Sequence, residues 1–448
     1  MKIPVSPPNF IDIMHRIAKS GELINLVSRS SVFDDKGRYV HWDKLRHLTP
    51  PDELTHEQWW FAIKSARNSL SNGVSLVDKH QSKFNYSLID AVHKQLHWLD
   101  RHACGAIQSS EAITNAKMRD TYLIRSLIEE AINSSQLEGA STTRDVAKEM
   151  IRQQRAPKDK SEQMIFNNYH AMQFIREIKD EKLTPSIVFE LHKILTKGAL
   201  NDNEVGRFRT ENDDIHVVDN ATQDKLHTPP LASELDERLQ KMCDFANSDS
   251  MNDKHFIHPM LRAIILHFML AYDHPFCDGN GRVARALFYW LSARHGYWLV
   301  EFVSISRVIK KSSTQYGKAF LHTETDDNDL TYFILHQLDV IRQAIDALHH
   351  YLDIKIQGIS EAEQKLVNNP KLKGKLNYRQ LALLRHALKH PRFSYVVDEH
   401  QISHGISYDI ARKDLLEMAD NLKLLVKTKQ GRRYFFVAPN DLENRISK

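Results

Sequence analysis

Two apolar helical stretches joined by a short polar, glycine-rich segment constrain this chain more than any other feature. His258-Pro259 opens the first, with Leu261, Ile264, Ile265, Phe268 and Met269 apolar, and Arg282 to His295 reads as the second, with Ala284, Leu287, Phe288, Leu291 and Ser292 on one face. Between them runs His274-Pro275-Phe276-Cys277-Asp278-Gly279-Asn280-Gly281-Arg282-Val283-Ala284-Arg285. A plain turn would explain the glycines but not the clustered polar groups. Two glycines within three residues open backbone conformations closed to other residues, so successive N–H groups can point into one concavity. Such a nest at the positive end of a helix takes an anion, and phosphate is the expected guest.

The charged residues of the segment suit that guest. Asp278 is a hard oxygen donor that can hold Mg²⁺ against phosphate oxygens. Arg282 and Arg285, one turn apart, offer planar forks for phosphate. His274, at the end of the preceding helix, has an unperturbed pKa near ~6.5 and can take a proton from a hydroxyl nucleophile. Phe276 is expected to bury itself and anchor the loop. A base, a metal ligand, an anion nest and two phosphate clamps imply phosphoryl or nucleotidyl transfer from a Mg²⁺-bound nucleotide.

The segment resembles the Fic family signature His-x-Phe-x-(Asp/Glu)-Gly-Asn-Gly-Arg-x-x-Arg at every fixed position, and the resemblance extends by pattern over residues 119 to about 350. It implies transfer of AMP from ATP to a Ser, Thr or Tyr hydroxyl of a target protein, the chain itself included, with release of pyrophosphate. By that resemblance His274 is the base and Asp278 the Mg²⁺ ligand. Gly279, Asn280 and Gly281 form the anion hole, Arg282 binds the α- and β-phosphates and Arg285 the γ-phosphate. Retention of Gly281 favours nucleotidyl transfer over kinase or phosphocholine chemistry. Ser134-Ser135-Gln136-Leu137-Glu138-Gly139 is similar to the family's inhibitory motif, in which Ser134, Glu138 and Gly139 hold the fixed positions; Glu138 pairing with Arg285 would displace the γ-phosphate. In some relatives the same glutamate positions a water that removes AMP, so a de-AMPylase is one alternative. Gly206 to Leu231, with no helical period, looks like the family's flap, in which Val217, Val218, His227 and Thr228 hold the target segment by strand-like pairing. Tyr316 stands where relatives carry a tyrosine near the adenine, and homodimerisation is a family habit.

The remaining sequence sets the frame. At 448 residues, 42% hydrophobic and 26% charged, with 15 Gly and 14 Pro, the chain is of ordinary globular composition and long enough for two to four domains. The expected fold class is mostly α: a helical Fic core with a short β-hairpin flap, plus a C-terminal winged helix-turn-helix domain. The expected division is an N-terminal helical region at 1–115, a core with its inhibitory helix at 116–355, and the winged helix at 371–440. In the middle, residues 119–137 carry Ile124, Leu127, Ile128 and Ala131 at the spacing of one helix face, and Thr184-Pro185 caps and opens another helix. Leu330 to Leu352 reads as the helix closing the core, and Asn369-Pro370 as a boundary. Trp42, Trp59, Trp60 and Trp98 are expected as core or interface anchors.

The net charge of +4 is too small to make the whole molecule a nucleic-acid binder, but residues 371–448 hold 16 Lys and Arg against 8 Asp and Glu. Within this tail, helices at 376–390, 397–402 and 407–419 and two strands joined at Gln430-Gly431 resemble a winged helix. Arg412, Lys413, Lys427, Lys429, Arg432 and Arg433 are placed to meet DNA phosphates. A second alternative function is therefore a DNA-binding regulator with the Fic core as its sensor. A toxin of a toxin–antitoxin pair is a third, opposed by an inhibitory motif in the same chain. Three scattered cysteines without metal spacing suit a reducing cytoplasm. No apolar run approaches the ~20 residues of a membrane span, and the N-terminus lacks the apolar stretch of a signal peptide.

Overall fold

In the computed structural model, residues 1–104, 116–153, 155–219, 222–248, 255–368, 374–430 and 433–447 are described. They divide into two units, Met1–Leu348 and His349–Lys448. The first begins with helices α1 (Phe10–Ser20), α2 (Leu23–Ser28), α3 (Trp42–Leu45) and α4 (His56–Ser69), packed around Ile13, Ile17, Leu26, Leu45, Trp59 and Trp60. Trp59 and Trp60 are buried as core anchors, whereas Trp42 and Trp98 are half-buried. The N-terminal region is not wholly helical: β1 (Ser71–Val77) pairs antiparallel with β2 (Lys83–Ser87). Val74, Leu76, Phe84 and Tyr86 alternate onto the main core from this hairpin, a period-two pattern too short to stand out in the sequence. Helix α5 (Asp90–Leu99) follows.

Four helices come next, α6 (Ala116–Leu137), α7 (Arg144–Arg152), α8 (Lys160–Glu177) and α9 (Pro185–Thr196). Leu127, Ile128 and Ala131 of α6 are buried as predicted, but Ile124 is 48% exposed and Leu123 takes its place. Leu123 and Leu127 are four apart and therefore stack along one face, which Ile124 leaves. Thr184 caps α9 by accepting from the Ile187 N–H at 3.3 Å, with Pro185 in the first turn, as the Thr-Pro pair predicts. The hairpin expected after Gly206 is β3 (Val217–Val218) against β4 (Lys225–His227), with Val217 opposite His227.

The rest of the first unit is α10 (Leu235–Asn247), α11 (Pro259–Asp273), α12 (Asn280–Arg294), α13 (Ile305–Lys311), α14 (Ser313–Thr325) and, as far as Leu348, α15 (Thr331–Asn368). Helices α11 and α12 form the centre of the main core, with every residue from Met260 to Leu270 and from Arg282 to Ser292 buried. Helices apolar on all sides have to be enclosed in this way. At about 1.5–3 kcal/mol for each fully buried large apolar side chain, Leu266, Phe268, Leu287 and Phe288 alone make this pair a stiff platform for the loop between them.

The second unit contains α16 (Tyr378–Lys389), β5 (Ser394–Tyr395), α17 (Val397–His404), α18 (Tyr408–Leu416), β6 (Val426–Gln430), β7 (Arg433–Val437) and α19 (Leu442–Ser447). Its sheet runs β5-β7-β6, all antiparallel, so a third strand joins the two predicted from sequence. Asn377 and Ser407 cap α16 and α18, and Leu384, Ala387, Leu415, Met418 and Phe436 lie in a separate core. Gly431, Arg432 and the Asn369-Pro370 boundary lie outside the described residues. Among those described, no helix is long and apolar enough to cross a membrane.

Candidate active site

Helix α11 ends on His274, whose backbone is left-handed at φ 45°, ψ 56°. For a residue other than glycine this conformation costs about 1–3 kcal/mol and persists only where the surroundings enforce it. Arg209 does so. Its side chain donates to the carbonyls of His274 (2.8 Å), Pro230 (2.6 Å) and Asp273 (3.3 Å), and its N–H donates to Pro275 O at 2.9 Å. Arg238 holds the buried Asp273 carboxylate through Nε and Nη2 at 2.9 and 2.7 Å. The turn itself is closed by Asn280, which accepts from Phe276 N–H at 2.9 Å and donates to Phe276 O at 2.7 Å. Gly279, at φ 88°, takes a conformation open to glycine, and α12 starts one residue later.

Two residues that sequence reasoning missed fix the floor of this loop. Phe276, fully buried as expected, stacks on His192 of α9 with ring centroids 3.9 Å apart and planes at 9°. Gly206 N–H donates to His192 Nδ1 at 3.0 Å, so the ring proton sits on Nε2 and is donated to the Asp278 carbonyl, also at 3.0 Å. Burial pulls the His192 pKa down to about 4, which keeps that neutral tautomer. One signal was available: a histidine between Leu191 and Leu195 on an apolar helix face. Arg209 was visible only as part of the Gly206–Leu231 segment read as a flap.

The side chains expected to do chemistry converge on this loop. His274 Nδ1 faces Ala271 O at 3.2 Å; a carbonyl only accepts, so Nδ1 carries the proton and Nε2 keeps a lone pair. Burial lowers its pKa to about 4, leaving the ring neutral at pH 7. The Asp278 carboxylate accepts from Gly279 N–H at 2.6 Å, sits 3.5 Å from Arg282 Nη2 and is 44% exposed. Arg282 is buried, donating from Nη1 to Leu195 O at 2.9 Å, while its buried Nε has no partner. An unsatisfied N–H on a buried cation is costly.

Glu138 reaches the same place from α6. Arg285 Nη2 donates to Glu138 Oε1 at 2.8 Å and to Ser134 O at 3.1 Å, and Arg285 Nε donates to Ser134 Oγ at 2.9 Å. Gly139, at φ 94°, turns the chain away immediately afterwards. The carboxylate lies so close to the loop backbone that a Cβ on Gly281 would stand 2.2 Å from Glu138 Oε1. Tyr316 of α14 bonds His267 Nε2 through its hydroxyl at 2.8 Å. The flap residues divide. Val218 is 37% exposed, whereas His227 turns inward, with Nε2 at 2.7 Å from Tyr272 O and Nδ1 at 2.7 Å from Glu324 Oε2. His227 thus anchors the hairpin, and Thr228 O accepts from Lys79 Nζ at 3.1 Å.

The donor set fits a divalent cation that arrives with a nucleotide. Among the described residues no group of three His, Cys, Asp or Glu could hold a metal alone, and Asp278 offers one half-exposed carboxylate beside the orphaned Arg282 N–H. In general, proteins bind Mg²⁺ through one or two carboxylates together with substrate phosphates.

Comparisons with known proteins agree with this geometry. Residues 182–292 match the model of the Fic/DOC family. A protein adenylyltransferase Fic of Nematostella vectensis is 24% identical over 221 residues, covering 48% of this chain and 46% of that protein. One from Drosophila willistoni is 30% identical over 203 residues, covering 44% of this chain and 37% of that protein. The chain thus spans less than half the length of these two relatives. Among solved structures, a Fic family protein from Desulfovibrio desulfuricans G20 superposes with a TM-score of 0.51 at 17% identity, over 79% of this chain and 97% of that one, a likeness of fold. Loop, following helix and family match coincide: residues 182–292 form a Fic domain.

Proposed function

We propose that this protein is a Mg²⁺- and ATP-dependent protein adenylyltransferase held back by Glu138. The neutral His274 Nε2 takes the proton from a Ser, Thr or Tyr hydroxyl of the target as its oxygen attacks the α-phosphorus of ATP. The new O–P bond forms, the bond to the bridging oxygen breaks, and pyrophosphate leaves. The N–H groups at Gly279, Asn280 and Gly281 and the Arg282 guanidinium receive the phosphate charge, Arg285 receives the γ-phosphate, and Tyr316 lines the base. Asp278 would hold Mg²⁺, which supplies charge neutralisation on the departing phosphates. The target segment adds along the hairpin at Val217 and Val218, with His227 and Thr228 fixing the hairpin's other strand.

The observation that carries the brake is the 2.8 Å pair between Arg285 and Glu138. With Nε and Nη2 of Arg285 engaged by Ser134 and the Glu138 carboxylate standing against the loop, the edge of the guanidinium that a γ-phosphate would need is occupied, so ATP sits with its α-phosphorus misaligned. Intact-mass spectrometry after incubation with Mg²⁺ and ATP tests both halves. Glu138→Gly gains an AMP-sized mass, wild type gains less, and Glu138→Gly with His274→Ala gains none; absence of any gain on an added target panel as well overturns the reading.

One observation favours a second role for the C-terminal unit as a winged helix on double-stranded DNA. Arg412 and Lys413 project from α18 and are exposed, as are Lys429 and Arg433 on the β6–β7 strands. A salt-dependent shift of duplex DNA that weakens in Arg412→Ala/Lys413→Ala supports it; binding equal to an acidic control protein removes it. The three free cysteines, Cys104, Cys243 and Cys277, suit a reducing cytoplasm.

A further inference from the structure

Glu130 is a buried carboxylate that the proposed chemistry does not use. It is 1% exposed and lies on α6 one turn before Ser134, on the same helix face, while Glu138 directly follows Leu137, the last residue of the helix. Its oxygens accept from Ser304 Oγ at 2.7 Å, Ser306 N–H at 3.2 Å and Ser306 Oγ at 2.5 Å. Ser306 is itself fully buried, and Ser304 caps α13. A second tie joins the same elements, Lys310 Nζ of α13 donating to Gln136 Oε1 of α6 at 2.6 Å.

We infer that Glu130 is the positioning residue of the brake: it fixes α6 on the Ser304–Ser306 segment so that Ser134 and Glu138 meet Arg285. This rests on the proposed inhibition by Glu138 and names what sets its strength. A carboxylate buried against these hydroxyl and N–H donors, with no lysine or arginine hydrogen-bonded to it among the described residues, is expensive unless those bonds are made, so it has one low-energy position. A helix is stiff over two turns, so that position determines where its last residues point. The following helix, α14, carries Tyr316, and the Ser304–Ser306 segment therefore lies between the brake helix and the proposed adenine position in the chain.

The experiment uses the full chain and four proteins: wild type, Glu130→Gln, Glu138→Gly and the double variant. Glu130→Gln removes the charge and turns an amide N–H toward hydroxyl and N–H donors, and Ser304→Ala/Ser306→Ala removes two donors from the other side should Glu130→Gln fold poorly. AMP transfer rises about tenfold in Glu130→Gln over wild type, the weight of one charge-assisted hydrogen bond, and stays within about twofold of Glu138→Gly in the double variant. A residue that only supports the fold would lower transfer in both backgrounds, and that result overturns the inference. Hydrogen exchange supplies a readout independent of activity: peptides covering 132–139 exchange faster in Glu130→Gln while those covering 283–292 are unchanged. Unchanged exchange at 132–139 overturns the inference whatever the activity. Failure of the underlying reading shows separately, as no gain in Glu138→Gly, with exchange still deciding whether Glu130 anchors the helix.

Discussion

Gly281 is the residue at which loop, brake and substrate site meet. A Cβ there would stand 2.2 Å from Glu138 Oε1 and 3.0 Å from Arg285 Nη1, both ends of flexible side chains rather than backbone. Gly281→Ala is therefore predicted to push the partly exposed Glu138 carboxylate off the buried Arg285, which keeps its Ser134 bonds, at a cost of about 1–3 kcal/mol, while narrowing the nest. The melting temperature stays within a few degrees of wild type, yet Glu138→Gly/Gly281→Ala transfers AMP more slowly than Glu138→Gly. Equal rates would show that phosphate does not approach Gly281. His274 makes a second residue-scale prediction. Its pKa, pulled to about 4 by burial, means that kcat/KM of Glu138→Gly falls only as pH drops toward 4 and is flat from about pH 6 to 8 so far as this base decides it. An inflexion near 6.5 that disappears in no other single histidine variant would assign an exposed base instead. Both residues were legible in the sequence because their roles rest on local spacing. Arg209 was not, because its carbonyl partners come from Pro230 and from Asp273 to Pro275, segments that only the fold brings together.

Among elements, the helices were the legible part and their contacts the illegible one. Thr184-Pro185 and His258-Pro259 marked the starts of α9 and α11 because caps and prolines act within a turn. The β1–β2 hairpin escaped because its alternation spans few residues, and the single bridge from Asn85 to Asp329 that extends it is remote in sequence. The same distinction governs α9. Its apolar face was readable, but the role of His192 depends on Asp278 and Gly206. His192→Phe keeps a ring on Phe276 and leaves the Asp278 carbonyl and the Gly206 N–H without their partner. Both bonds are part-buried, so the loss in stability falls toward the lower end of the about 1–3 kcal/mol of a fully buried unsatisfied group, and AMP transfer falls further because the carbonyl belongs to the loop. His192→Gln, whose amide offers both an N–H donor and a carbonyl acceptor, recovers part of both. Circular dichroism melts and single-turnover transfer, measured side by side, separate the two losses; transfer unchanged in His192→Phe would release the loop from α9.

At the scale of the molecule, charge and histidine burial carry the remaining argument. Residues 371–448, at sixteen basic against eight acidic, are set apart from a remainder that is net acidic, a division visible in composition before any fold is known. What composition could not show is that so many of the 25 histidines are enclosed. In the first unit burial pulls His41 to about 3 and His192, His274, His322 and His336 to about 4. In the unfolded chain these rings titrate near ~6.5. Between about pH 6.5 and 4 the unfolded state therefore binds protons that the folded state refuses, and stability rises with pH across that window. Their contribution is fully present above pH ~6.5 and is lost on acidification, levelling as pH passes the folded values. Asp273, raised by burial, opposes this with at most one proton. Unfolding at pH 5 should take up on the order of four protons, a slope of roughly 5 kcal/mol per pH unit at its steepest against a total stability of about 5–15 kcal/mol. Urea titrations at pH 7.5, 6 and 5 then show the first unit's midpoint falling steeply while its m-value holds, and potentiometry during unfolding counts the protons directly. A midpoint constant from pH 7.5 to 5 would mean that these rings reach water in the folded protein. The neutral His192 beneath the loop and the neutral base at His274 would then lose their physical basis together, since both depend on the same enclosure.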